Sequence, residues 1–438
     1  MMKLYDWQEP LRERITGIFQ KGDFVLNCMP TGTGKTLVAV DTSIRLNLPF
    51  LVISPKATLI NWQRVADSMG AKHLLKGVIN PERISLGRSP WYDGTTWHLD
   101  GVGLVVWDEC HKGCSGIDSK ATLAAARLKK MPIKKLFMSA TAADSPLKMR
   151  ALGYSLGLHD YSKAGFYRWA GNNGCFWNKN MPQPVFQFTK SKKDAAEHMS
   201  RIHATICDKM VHMKISEIPG FPETLIESKL YDLEKEDLAA VREAYDAMDL
   251  RMKDNGTNIL TELLHARERS EFAKASLMAE LVEDLVEEGR SVVVFLNFRS
   301  SMKRLTDLLN DRYNPSLLTC EIHGDQNAVV RQANIDAFQN NEKFVMLAMI
   351  QAGGVGISLH DVKNERPRVT LITPGFNAAE MKQALGRVHR AGGSPSTQQF
   401  VLCAGTLEER IHETMQRKFG SIEAINEGLT DADLTSLS

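Results

Sequence analysis

Short apolar runs alternate with amphipathic stretches over residues 1–145. The runs FVLNCMP (24–30), FLVISP (50–55), LVVWDE (104–109) and KLFMSAT (135–141) each end in a turn signal. Apolar runs of this length predict buried strands, and the amphipathic stretches between them predict helices. Because strands and helices alternate, we predict a parallel sheet with helices on both faces, forming an N-terminal lobe over residues 1–145.

This alternation stops after residue 145 and returns near residue 291. Residues 146–225 are rich in aromatic residues and glycine, and we expect an insertion or protrusion and a linker there. Residues 226–290 are charged and periodic, which predicts a helical brace leading into a second lobe. Its last part, KASLMAELVEDLVEEGR (274–290), has the apolar spacing of an amphipathic helix.

Five further apolar runs predict a second lobe over residues 291–425. They are SVVVFLNF (291–298), LTCEIHG (318–324), KFVMLAMI (343–350), RVTLITP (368–374) and QQFVLCAG (398–405). The predicted fold class is therefore α/β, with two tandem lobes and helical insertions. Residues 426–438 lack apolar periodicity, and we expect a loose tail there.

The composition of the chain argues against several classes of protein. The chain of 438 residues is long enough for two or three domains, and its 43% apolar and 24% charged residues are typical of a soluble globular protein. No apolar run approaches the roughly 18 residues of a membrane helix, and the start lacks a secretory signal. The seven cysteines are scattered without a CxxC pair, so we expect reduced thiols in an intracellular protein.

Charge is unevenly distributed along the chain. Residues 1–225 hold 30 Lys+Arg against 19 Asp+Glu, whereas residues 226–290 hold 9 against 17. A basic surplus in the first half is compatible with a partner that carries a phosphate backbone.

The segment MPTGTGKT (29–36) has the composition of a phosphate-binding loop. It follows a predicted strand and opens a predicted helix, which is the context such a loop requires. Gly32 and Gly34 let successive backbone N–H groups point at phosphate oxygens, and the helix N-terminus adds a favourable dipole. We expect Lys35 to contact the β- and γ-phosphates and the hydroxyl of Thr36 to hold Mg²⁺.

The segment VVWDECH (105–111) predicts a strand that ends in two acidic residues. Asp108 is placed to hold Mg²⁺, partly through water, and Glu109 to act as the base that activates the attacking water. After another strand, SAT contains Ser139 and Thr141, which we expect to hydrogen-bond the carboxylates of DECH. With His111, they are predicted to couple nucleotide state to the rest of the protein.

The second half contributes two further candidate segments. In QALGRVHR (383–390), Arg387 and Arg390 are predicted to share a helix face, and guanidinium groups stabilise the charge that accumulates on a transferring γ-phosphate. The loop in AMIQAGGVGISL, with Gly353, Gly354 and Gly356, permits close backbone approach to phosphate or sugar.

In this order the segments resemble motifs I to VI of superfamily 2 helicases, and they are most similar to the Swi/Snf-like group of DNA translocases, in a compact viral, phage or bacterial form. The resemblance covers residues 4–420 and rests on MPTGTGKT, VISPKATLINW, DECH, SAT, VVVFLNFRSS, IHGDQNAVVRQANIDAFQ, AGGVGISL and QALGRVHR. It implies two RecA-like P-loop lobes, ATP and Mg²⁺ as cofactors, and Gln8 as the residue that reads adenine.

The sequence thus predicts three groups of site residues. The predicted catalytic residues are Glu109, Asp108, Lys35, Arg387 and Arg390. The predicted ATP-binding residues are Gln8, Thr31, Gly32, Thr33, Gly34, Lys35, Thr36, Gly356 and Gln383. The predicted coupling residues are Ser139, Thr141 and His111.

The predicted function is that of an ATP-dependent DNA helicase or translocase that couples hydrolysis between two lobes to movement on DNA. We expect DNA rather than RNA as the partner, no membrane, and a location in the cytoplasm or nucleoid, or in host cytoplasm if the source is viral. Two alternatives stay open: a strand-separating RNA helicase, and a non-catalytic nucleic-acid-binding scaffold. The aromatic residues of the insertion (Phe166, Tyr167, Trp169, Phe176 and Trp177) either stack on bases or form a small local core.

Overall fold

A computed structural model of the chain describes residues 2–179, 184–252, 259–312, 319–353 and 357–429. The chain divides into two compact units. The first unit comprises Met1–Pro219 and Gln416–Ser438, and the second comprises Gly220–Met415.

In the described part of the first unit, six parallel strands form one sheet and two antiparallel strands form a small ribbon. The strands are β1 (Phe24–Asn27), β2 (Phe50–Ile53), β3 (Leu75–Ile79), β4 (Leu104–Asp108), β5 (Lys134–Met138), β6 (Cys175–Asn178), β7 (Val185–Phe188) and β8 (Met210–Val211). The order in the sheet is β3-β2-β4-β5-β1-β8, and β6 pairs with β7 in the ribbon.

Residues of the central strands alternate between two apolar clusters. Leu26, Ile53 and Trp107 belong to one cluster, whereas Val25 and Val52 belong to the other. Since successive side chains of a strand point to opposite faces, both faces of this sheet are buried. Helices supply the cover: α1 (Glu9–Lys21), α2 (Lys35–Leu46), α3 (Leu59–Ser68), α4 (Pro81–Ser85), α5 (His111–Cys114), α6 (Lys120–Leu128), α7 (Arg150–Leu156), α8 (Lys163–Asn172) and α9 (Lys192–Ile206).

The described residues of the second unit form another six-stranded parallel sheet. Its strands are β9 (Thr224–Tyr231), β10 (Ser291–Leu296), β11 (Thr319–Ile322), β12 (Val345–Met349), β13 (Arg368–Ile372) and β14 (Ser396–Cys403), in the order β11-β12-β10-β13-β14-β9. The helices are α10 (Lys235–Met252), α11 (Ile259–Ala273), α12 (Ala275–Glu287), α13 (Arg299–Arg312), α14 (Ala328–Gln339), α15 (Ile350–Gly353), α16 (Ala378–Leu385) and the first part of α17 (Leu407–Glu427), whose residues from Gln416 onward belong to the first unit.

A buried ion pair joins α12 to α17 in the second unit. Lys274, just before α12, lies with its Nζ 2.7 Å from a carboxylate oxygen of Glu408, and both side chains are buried. Burial lowers and the Glu408 charge raises the pKa of Lys274, and the net result is a raised pKa. The same carboxylate accepts hydrogen bonds from the Ser270 hydroxyl at 3.2 Å and from the Cys403 backbone N–H at 3.1 Å.

The structure confirms the α/β fold class, the nine predicted strands and the helix within 274–290. The boundary predicted between residues 225 and 226 instead falls inside β9, which pairs along its whole length with β14, so the second unit begins earlier, at Gly220. Residues 146–219 belong to the first unit rather than to a separate protrusion. In the predicted tail, residues 426 and 427 are the end of α17, and residues 430–438 lie outside the described part.

Candidate functional site

The loop between β1 and α2 has the backbone of a phosphate cradle. Gly32 and Gly34 have φ angles of 78° and 76°, a left-handed conformation that residues with a Cβ adopt only at a cost. Gly34 is the N-terminal cap of α2, which begins at Lys35. Because the first N–H groups of a helix lack intrahelical partners, this loop and helix end present donors to an anion.

Side chains of the loop are ordered by the loop's own carbonyl groups. The Lys35 ammonium donates to the carbonyl oxygens of Met29 and Pro30, each at 3.0 Å, and the Thr33 hydroxyl donates to Pro30 at 2.7 Å. Thr31 and Thr36 are half-buried in the same loop and the following turn. The predicted phosphate-binding residues are thus brought together by the structure, and their roles toward ATP stay predictions.

Gln8 lies against this loop. It is fully buried, its side-chain amide donates to the carbonyl of Thr33 at 2.8 Å, and its Oε1 accepts from the Tyr5 backbone at 3.0 Å. A Cβ on Gly34 would lie 2.4 Å from Gln8 Nε2, so a side chain at position 34 would displace the glutamine. The side-chain amide of Gln8, which by resemblance is expected to read adenine, is therefore held at the rim of the phosphate loop.

Asp108 lies at the carboxyl end of β4 and is held by three donors. Its Oδ2 accepts from the Ser54 hydroxyl at 2.9 Å and from the Trp62 indole N–H at 3.0 Å, and its Oδ1 accepts from the Glu109 backbone at 3.0 Å. Burial and the neighbouring Glu109 charge raise the pKa of Asp108 to about 6, while the Trp62 and Ser54 hydrogen bonds and the Lys35 charge act in the opposite direction. Lys35 is therefore electrostatically coupled to this carboxylate.

Glu109 has a strained backbone. Its φ is +47°, in the left-handed region that a residue with a long side chain rarely adopts, and the side chain is buried. Such conformations cost about 1–3 kcal/mol and persist where the surrounding structure enforces them, often at active sites. The Glu109 carboxylate lies 3.5 Å from Nδ1 of His111.

Ser139 and Thr141 contact His111, which lies beside the Glu109 carboxylate. The Ser139 hydroxyl lies 2.8 Å and the Thr141 hydroxyl 3.4 Å from His111 Nδ1. Burial and nearby lysine charges lower the pKa of His111 to about 3, so the imidazole is neutral at physiological pH. His111 thus connects the carboxyl end of β5 with the Glu109 carboxylate.

In the second unit, both arginines of GRVHR converge on one backbone carbonyl. Arg387 Nη1 and Arg390 Nη2 donate to the carbonyl of Ile357 at 3.4 and 2.8 Å. The prediction that they share a helix face is wrong, because α16 ends at Leu385 and both lie in the turn that follows. Burial and the Arg387 charge lower the pKa of Arg390 to about 9, which leaves it protonated at neutral pH. Gln383 is buried within α16, and Gly356 lies outside the described residues.

Two residues of the site, Ser54 and Trp62, lie within the quoted segment VISPKATLINW, but the sequence reasoning gave them no role. Ser54 directly follows β2, whose Ile53 pairs with Trp107 of β4, so Ser54 is level with Asp108. Trp62 lies two turns later, on α3, and its indole N–H also contacts the Ser54 hydroxyl at 3.1 Å. A serine that follows a strand becomes a signal only when the neighbouring strand is known to end in a functional carboxylate, here Asp108.

Comparison with known proteins gives matches to helicases over most of the chain. Residues 273–392 match the helicase conserved C-terminal domain. A provisionally named ATP-dependent RNA helicase of Acanthamoeba polyphaga mimivirus is 26% identical over 97% of this chain and 84% of its own length. An uncharacterised ATP-dependent helicase of Mycoplasma pneumoniae is 24% identical over 88% of this chain and 38% of its own length. The ISWI chromatin-remodelling complex ATPase of Arabidopsis thaliana is 33% identical over 33% of this chain, which spans 13% of that protein.

The two α/β sheets, the phosphate loop and these matches are those of the helicase class. The chain is similar to superfamily 2 helicases, and Swi/Snf-like remodellers and a viral protein are among the relatives it matches. It is accordingly a nucleic-acid-dependent ATPase. Among the helices that the structure describes, none combines the length and apolar character that a bilayer-spanning segment requires.

Proposed function

We propose that this protein is a DNA translocase that converts ATP hydrolysis into movement along DNA inside the cell. The observation that supports this most strongly is the arrangement at the carboxyl edge of the first sheet. There the phosphate loop, a buried Asp108 and a strained Glu109 lie within one electrostatically coupled group. This is the chemistry that phosphoryl transfer to water requires.

In the proposed mechanism, the loop N–H groups and Lys35 bind the β- and γ-phosphates, which displaces the lysine from its two carbonyl partners. Glu109 orients the attacking water and accepts its proton. The neutral His111 next to Glu109 relays the position of that carboxylate to Ser139 on the adjacent strand. Arg387 and Arg390 stabilise charge on the γ-phosphate oxygens.

The residues present fit a magnesium ion that arrives with ATP. Asp108 and Thr36 offer oxygen donors, which Mg²⁺ prefers, and phosphates and water complete its coordination. No group of three or more His, Cys, Asp or Glu in the described residues could hold a metal ion without such help. When bound, the ion would neutralise phosphate charge.

The first half of the chain also offers contacts for nucleic acid. Its basic surplus favours a phosphate backbone. On the ribbon, Phe176 and Trp177 are 47% and 54% exposed, while Phe166 on α8 is fully buried. The aromatic insertion is thus partly a local core and partly an exposed aromatic face, and exposed rings can stack on bases. This exposed face is also the observation that favours the second candidate function, a strand-separating helicase.

The nucleic-acid substrate is tested by stimulation of ATP hydrolysis. The full chain is assayed with duplex DNA, single-stranded DNA, forked DNA and RNA, beside an unwinding assay on the forked substrate. We expect duplex DNA to stimulate hydrolysis without separation of the strands. Stimulation by RNA alone would overturn the DNA proposal, and unwinding of the fork would support the second candidate.

The assigned residues are tested in the same assay. Lys35→Ala should abolish hydrolysis, and Arg390→Ala should lower kcat by about 10³-fold or more. Lys72→Ala and Arg410→Ala, which change exposed residues of the same types, are the matched controls. Normal hydrolysis by Lys35→Ala would refute the ATP site, and normal hydrolysis by Arg390→Ala would remove the arginine from the mechanism.

A further inference from the structure

A cavity of about 710 Å³ lies in the first unit, away from the phosphate loop. Phe24 and Lys135, from the beginnings of β1 and β5, line it, so it lies at the amino edge of the sheet. The phosphate loop and Asp108 follow the carboxyl ends of the strands, at the opposite edge. The cavity is therefore separate from the ATP site.

The lining of this cavity has a surplus of positive charge. Five of its lining residues are basic and two are acidic, Asp23 and Asp208. Asp23 already pairs at 2.8 Å with Lys134, which does not line the cavity, and this partner lowers the pKa of Asp23. One of the two carboxylates is thus already neutralised from outside the cavity.

Three of the lysines are held by carbonyl groups. Lys129 donates to the carbonyl of Tyr154, and Lys209 donates to that of Leu156 at 2.8 Å, so both meet the C-terminal end of α7. Lys135 donates to the carbonyl of Met131 at 2.5 Å. None of the three lysines forms an ion pair with a described residue, and an ammonium group has three donors, so each has donors to spare.

These ammonium groups also repel one another. Burial and the charge of Lys209 lower the pKa of Lys129. Burial also lowers the pKa of Lys135, where the Asp23 charge acts in the opposite direction and the Lys134 and Lys129 charges add to the lowering. Because five cations of the lining outnumber its two carboxylates, a bound anion would reduce their mutual repulsion. The helix-end carbonyls hold the ammonium groups in place without neutralising them.

A second observation points to a ligand. Ser155 of α7 lines the cavity, and its side-chain oxygen is buried with no hydrogen-bond partner among the described residues. Buried hydroxyls almost always have a partner, because leaving one unsatisfied costs free energy. A phosphate oxygen within the cavity would accept a hydrogen bond from Ser155 once its hydroxyl, which solvent does not reach in this structure, rotates toward the cavity.

We propose that this cavity binds a small polyphosphate anion, such as a free phosphate chain or the phosphate tail of a nucleotide. A compact anion matches a half-open cavity with ammonium groups at its wall better than an extended backbone does. This site goes beyond the proposed motor function and does not depend on it.

The test is titration of tripolyphosphate into the full-length protein by calorimetry, in the Lys35→Ala background so that the phosphate loop does not contribute. Lys129→Gln/Lys209→Gln should weaken binding about tenfold or more, because each lysine supplies a charge-assisted hydrogen bond. Lys120→Gln/Lys130→Gln is the matched control, since it removes the same charge from two exposed positions outside the cavity. Equal affinity in both double variants would overturn the proposal.

Ser155→Ala provides a second test, because a serine that only supported the fold would not change how much the anion raises the Tm. Without anion its Tm should be unchanged or slightly higher, because the lost hydroxyl has no partner there, yet its Tm increase with tripolyphosphate should be smaller than that of the parent. A nucleoside triphosphate and an oligonucleotide are titrated in parallel to identify the source of the phosphates. If the cavity variants lose oligonucleotide binding but keep tripolyphosphate binding, the small-anion site is refuted.

Discussion

The indole of Trp62 should set the pH range in which the enzyme works. Trp62→Phe removes one donor to Asp108, and hydrogen bonds to charged groups contribute roughly 1.5–3 kcal/mol. The indole N–H is shared between Asp108 at 3.0 Å and Ser54 at 3.1 Å, so the lower end of that range applies. At 1.36 kcal/mol per pH unit, the pKa of Asp108 should rise by about one unit above its value of about 6.

The assay is the pH dependence of kcat/KM for ATP, which reports the ionisation of the free enzyme. If Asp108 must be ionised, the acid limb should move upward by about one unit, and the rate at pH 6.5 should fall roughly threefold while the rate at pH 8.5 stays the same. Trp97→Phe is the matched control: Trp97 is also buried in the first unit, and its indole donates to the carbonyl of Ala124 at 2.9 Å rather than to Asp108. An unmoved acid limb in Trp62→Phe, or an equal shift in both variants, would refute the reasoning.

Three other predictions concern stability and nucleic-acid contact. The pKa of His111 is depressed to about 3, so the unfolded chain takes up a proton first and the protein loses stability as pH falls below 6.5. His111→Gln should escape about 1.4 kcal/mol of that loss at pH 5.5, as measured by urea unfolding, and a parallel pH dependence in both proteins would contradict this. Lys274→Met leaves the Glu408 carboxylate buried without its cation and should cost about 3–5 kcal/mol in the same measurement, while the double variant Lys274→Met/Glu408→Gln should recover most of it; a double variant as unstable as the single one would contradict the pairing. Trp177→Ala should weaken single-strand binding by about 1–3 kcal/mol in fluorescence anisotropy with unstimulated hydrolysis unchanged, and Trp177→Phe should bind normally; equal binding by all three proteins would remove the aromatic face from the nucleic-acid contact.

Apart from the edge strand β11, the strands that the sequence predicts lie in the interior of each sheet. Their residues are buried on both faces, as in β10, and so form continuous apolar runs. By contrast, β9 has exposed and half-buried residues along its whole length, and β8 has two residues. These two edge strands lack the apolar run, so pairing rather than composition identifies them. The start of the second unit does carry a local signal, the turn-forming pair Pro219–Gly220.

The residues of the candidate site also differ in whether the sequence alone could predict them. The phosphate loop and the Asp108–Glu109 pair are local, because strand, turn and helix follow one another in the sequence. The donors to Asp108 come from another strand and another helix, so they depend on the order in which strands pair. The turn that holds Arg387 and Arg390 was missed because helical spacing continues past Leu385, whereas the backbone does not.

The strained backbone of Glu109 determines which substitutions at this position would stabilise the protein. Glycine or asparagine would adopt a φ of +47° with less strain, so the fold itself would favour their presence at this position. A library screened only for heat resistance should therefore enrich sequences that have lost the proposed proton acceptor. A substitution that relieves the strain at position 109 therefore stabilises the fold but removes the proposed proton acceptor. Only selection for turnover keeps the glutamate there.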